Sequence, residues 1–81
     1  MSTLNAMRRV KLTNLEHTAK RLRIEIENLA QIICINLDCS LKRPEDLLID
    51  IVDNQFDELK SKWAELTIAL SEIKRLEEEL K

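Results

Sequence analysis

Apolar residues of the C-terminal half fall at Ile49, Val52, Phe56, Leu59, Trp63, Leu66, Leu70 and Ile73, in steps alternating between three and four. That alternation keeps one helical face apolar over many turns and is the seam of a coiled coil or helical bundle. The N-terminal half repeats it at Leu15, Ala19, Leu22, Ile26, Leu29 and Ile33. Two long helices are expected, one over about 13–37 and one over about 44–80. Thr13-Asn14-Leu15-Glu16 spells a capping box that can open the first helix, or it is an ordinary stretch of a helix that begins near residue 4. Residues 1–12 read as a basic, partly ordered segment.

Two runs broaden the pattern. Ile32, Ile33, Cys34, Ile35 and Leu37 point all round a helix, and so do Leu47, Leu48, Ile49, Ile51 and Val52. Such β-branched runs can also form short strands, but each adjoins a long helical pattern, which favours continued helix. Between them, residues 38–43 are the one credible break. Pro44 suits the first turn of a new helix, where its missing N–H is no loss, and Glu45 and Asp46 place negative charge at that helix's positive end.

The expected fold is all-α: an antiparallel two-helix hairpin, one domain spanning 1–81, associating into a helical bundle. Folding back at 38–43 pairs residues whose numbers sum to roughly 81, which sets Leu29 against Val52, Ile26 against Phe56, Leu22 against Leu59, Ala19 against Trp63 and Leu15 against Leu66. These residues other than Leu15, together with Ile33, form the expected hairpin core. Ile24, Ile32, Ile35, Leu48 and Ile51 are left with too few neighbours, which marks them as an expected interface with a second copy. The plan is similar in architecture, with no shared motif, to small dimeric hairpins of the plasmid RNA-regulator kind.

Composition narrows the class further. The 81 residues include no Gly and one Pro, and 35% are charged. A chain without Gly has few places for the turns of a sheet protein, and Gly-rich phosphate-binding loops are excluded. No apolar run approaches the roughly 18 residues that span a bilayer, and the first dozen lack the apolar core of a signal peptide, so the expected location is the cytoplasm, away from membranes. Charge is uneven: residues 1–37 carry six Lys/Arg against three Glu, whereas 38–81 carry seven against twelve acids. The hairpin explains this by laying Arg8, Arg9 and Lys11 near Glu72 and Glu77, Glu78 and Glu79.

Candidate chemistry is thin. Cys34 and Cys39, with His17 the only histidine, have neither zinc nor redox spacing, and read as a buried thiol and a loop thiol. Asp50, Asp53 and Asp57 share a helical face that can hold Mg²⁺ if a second helix supplies acids, as in all-α nucleotide pyrophosphohydrolases, but the first helix mixes its three Glu with bases. The basic N-terminal half can meet nucleic acid, yet it has no interleaved aromatics and the pI is near 5.4. The function expected is a non-enzymatic interaction module without cofactor or metal, acting as an adaptor, scaffold or regulatory subunit. Its expected partners are itself, as a dimer, and another protein. A nucleic-acid-binding accessory protein is the alternative, and an acidic-helix metal-dependent hydrolase the remote one.

Overall fold

The computed structural model describes residues 3–81; Met1 and Ser2, the start of the basic N-terminal segment, lie outside the described residues. Helix α1 runs Thr3–Asn36 and helix α2 runs Ile49–Glu79, with a single 3-10 turn at Pro44–Asp46 between them. The two helices pack antiparallel into a rod of 64 × 16 × 15 Å. The expected all-α hairpin is therefore present. The Ile-rich run at 32–35 is helical, and no strand occurs among the described residues.

Both helices are built from strong helix formers with no Gly or Pro inside them, so nothing local interrupts 30-odd residues. α1 starts ten residues before the capping box. The Thr13 hydroxyl donates to the Arg9 carbonyl one turn back, at 3.1 Å, which is the behaviour of a mid-helix threonine rather than a cap. α2 starts later than Pro44 suggests. Arg43 and Leu47 are extended on either side of the 3-10 turn, and the Leu47 N–H donates to the Pro44 carbonyl, so the first helical residue is Ile49.

Chain reversal thus occupies 37–48. Asp38 organises its first half, accepting from the Ser40 backbone N–H at 2.9 Å and from the Ser40 hydroxyl at 2.6 Å. Those two donors hold the Asp38 carboxyl below its ordinary pKa. The midpoint of the reversal falls two residues later than expected, and the pairing shifts with it. Asn36 meets Gln55, Glu25 meets Lys62, Lys11 meets Glu72 and Arg8 meets Glu79, so facing residues sum to 83–91 instead of 81.

The seam buries Ala19, Leu22 and Ile33 from α1 against Val52, Ala69 and Leu76 from α2. Leu12, Leu15, Ile26, Leu29, Leu59, Leu66 and Ile73 extend it as half-buried neighbours. Each large side chain taken fully from water, such as Leu22 or Leu76, contributes roughly 1.5–3 kcal/mol. On α1 the expected face is the one used. On α2 it is not: the row Val52, Leu59, Leu66 and Ile73 is joined by Gln55, Lys62, Ala69 and Leu76, while Phe56 and Trp63, expected in the hairpin core, are 49% and 60% exposed. Two polar residues take these inner positions because each finds a partner on α1. The Asn36 side-chain amide donates to Gln55 Oε1 at 3.0 Å, and Lys62 Nζ reaches Glu25 at 2.6 Å.

Candidate association surface

One long edge of the hairpin is apolar. At 100° per residue, positions seven apart stack in a row, and on α2 that row is Ile49, Phe56, Trp63 and Leu70, 57%, 49%, 60% and 36% exposed. It lies beside the seam, not opposite it. A groove of about 280 Å³ runs between this row and α1, walled by Ile26, Ala30, Phe56, Leu59, Trp63 and the stem of Lys60. The Lys60 ammonium sits 5.6 Å from the Phe56 ring centroid and 3.4 Å from Asp57. A lysine held between a ring face and a carboxylate keeps its charge at the margin of the groove.

The other long edge carries charge. Here α1 presents Lys11, Thr18 and Glu25, and α2 presents Glu58, Glu65, Glu72 and Glu79, again seven residues apart. Lys11 bridges to Glu72 at 3.2 Å and Arg8 to Glu79 at 3.2 Å, as the charge asymmetry of the two halves implies. Glu25 accepts from Lys62 at 2.6 Å and from Arg21 at 2.8 Å. Arg75 bonds both Glu72 and Glu79 along α2. The Lys62 ammonium first, and the Arg21 guanidinium second, hold Glu25 below its ordinary pKa against the opposing effect of burial, and Glu25 in turn raises Lys62. Arg75 and then Lys11 do the same to Glu72.

Of the residues expected to form the hairpin core, Ala19, Leu22, Ile26, Leu29, Ile33, Val52, Leu59 and Leu66 are buried or half-buried, and Phe56 and Trp63 line the groove instead. The five expected interface residues are all exposed but do not form one patch. Ile24 and Ile35 lie on the outer face of α1, Ile32 and Ile51 continue the charged edge toward the loop, and Leu48 precedes α2. The sequence reading missed Ala30 and the outward placement of the Ile49 row. One signal was present: toward its C-terminal end α2 adds Ala69 and Leu76 as a third apolar row beside the two of the seam, more width than one facing helix covers.

The candidate chemical groups stay apart. Asp50, Asp53 and Asp57 are exposed, and no group of His, Cys, Asp or Glu placed to hold a metal ion occurs among the described residues. Cys34 is exposed rather than buried, as is Cys39, and both are free thiols. His17 is exposed beside Lys20, Arg21 and Ile24. No described helix is long and apolar enough to cross a membrane. Comparison with protein-family models, with curated proteins and with solved structures finds no match to this chain.

Proposed function

We propose that this chain is a small non-enzymatic interaction module, an adaptor, scaffold or regulatory subunit of the cytoplasm, that works by coiled-coil-like association with a second copy of itself. The observation that carries this reading is the excess of exposed apolar surface. Among the described residues six hydrophobic side chains are buried and fifteen large ones are exposed, the reverse of what a self-sufficient small domain needs. The exposed area is 6192 Å², whereas a compact monomer of 9.5 kDa exposes about 5,000 Å², an excess of roughly 1,100 Å². A standard interface removes about 800 Å² from each partner, so one partner copy accounts for most of that excess.

Trp63 is the only tryptophan and lies on the apolar edge, which makes it a built-in reporter. Light scattering on the full chain is expected to give twice the monomer mass at micromolar concentration, with Trp63 emission moving to the red on dilution. A folded monomer with concentration-independent emission contradicts self-association. Salt-sensitive retention of such a monomer on DNA or RNA points instead to nucleic-acid binding. That alternative has less free charge to draw on, since Arg8, Lys11 and Arg21 are each engaged by a carboxylate.

A further inference from the structure

We infer that the second copy docks antiparallel, α2 against α2, with the rows Ile49, Phe56, Trp63 and Leu70 of the two chains interlocked about a two-fold axis that passes between Phe56 and Trp63. This geometry rests on the self-association reading above and adds the surface, the direction and the register. The row is its own complement when reversed. Ile49 meets Leu70 of the partner copy and Phe56 meets Trp63 of the partner copy, pairs whose numbers sum to 119, so a small end always faces a small end and the two aromatics lie together at the centre. Offset aromatic packing there is worth more than burial alone, and aromatic anchors at the middle of an interface carry a large share of its energy.

Charge selects the direction. Helical residues flanking the row include Lys74 and Glu77, and the reversal loop at its other end carries Lys42, Arg43, Glu45 and Asp46. Among the described residues none of these six takes part in an ion pair within the hairpin. In the antiparallel arrangement the Lys74 and Glu77 end of α2 lies toward the reversal loop of the partner copy, whose four charges have both signs and lie outside the helix. A parallel arrangement sets Lys74 against Lys74 and Glu77 against Glu77, and like charges brought face to face disfavour it. Antiparallel docking has one like pair of its own, the two Lys60 ammoniums near the axis. Each is already held by its own Asp57 and its own Phe56 ring.

Cysteine cross-linking of the full chain, in a background with Cys34→Ser and Cys39→Ser, tests the register. A disulfide needs Cβ atoms within about 3.5–4.5 Å, so only residues that meet across the axis link. Lys60→Cys lies next to its own copy and is expected to convert to a covalent dimer on mild oxidation. Asp53→Cys and Thr67→Cys are expected to link only when both are present, since each faces the other and not itself. Circular dichroism first establishes that every variant remains helical. Single-variant linking at Asp53→Cys or Thr67→Cys, as fast as at Lys60→Cys, overturns the antiparallel geometry and leaves self-association intact. Variants that are folded and monomeric throughout overturn both.

Discussion

The two long edges of the hairpin solve the same problem in opposite ways. On the charged edge each helix supplies what the other lacks: Lys11 finds Glu72, Lys62 finds Glu25, and Arg8 finds Glu79. Those ion pairs close within one chain, while Ile32 and Ile51 stay exposed at the loop end of the edge. On the apolar edge α1 offers only Ala30 and the flank of Ile26 to a row that includes Phe56 and Trp63. Nothing within the chain can cover a tryptophan with an alanine. What the contrast teaches is that the hairpin's internal pairing is specified by charge and small apolar residues, while its largest apolar side chains are kept for the outside.

Several changes break or sharpen that contrast. The largest effect is expected at the seam both edges share. Leu22→Ala removes a fully buried side chain and should cost about 2–5 kcal/mol, a large part of the 5–15 kcal/mol typical of a whole small domain, read as a collapse in the urea midpoint. Next comes the apolar edge. Phe56→Lys with Trp63→Lys should leave the hairpin's internal contacts in place but weaken self-association by at least about thirtyfold, measured by sedimentation equilibrium. If the double change instead melts the helices at all concentrations, the two residues belong to the core after all.

The charged edge should respond to acid. Glu25 and Glu72 are held below their ordinary values by hydrogen-bonded cations, so their stabilisation is complete above the unfolded carboxylate pKa of about 4.3 and fades as pH falls through the lower native values. Glu25→Gln with Glu72→Gln should flatten the acid limb of a plot of melting temperature against pH. An unchanged limb refutes the assignment of acid sensitivity to this edge. The smallest effect is expected for Asp53→Ala, at an exposed position with no bond in the hairpin, which should stay within about 0.5 kcal/mol of the parent in chemical denaturation.

The face of α1 was legible in the sequence because its seam is apolar and its flanks are polar, so only one reading is consistent with Leu15, Ala19, Leu22, Ile26, Leu29 and Ile33. The face of α2 was ambiguous for a physical reason. Two apolar rows, starting at Ile49 and Val52, compete for the seam, and the inner pair of rows includes Gln55 and Lys62, which periodicity counts against burial. Only the positions of Asn36 and Glu25 on the facing helix make those polar residues acceptable inside. Register failed in the same way: it depends on the path of the whole reversal, where Arg43, Leu47 and Leu48 all leave helical geometry and delay α2 to Ile49, which no local pattern announces. The ion pairs of the open end survived this error, because acidic residues are dense enough at 72–79 to meet the bases in either register.

The shape of the reversal also orders the way the chain closes. Asn36 and Gln55 are separated by 19 residues, whereas Arg8 and Glu79 are 71 apart, nearly two doublings of loop length. Each doubling adds about 0.6 kcal/mol of closure entropy, so bringing the far ends together from an open chain costs roughly 1.1 kcal/mol more than forming the first contact. Closure from the loop outward is therefore the expected order, each closed turn shortening the excursion required of the next. The Arg8–Glu79 and Lys11–Glu72 pairs act on the last stage of that path, where they hold the open ends together once the seam has brought them within reach.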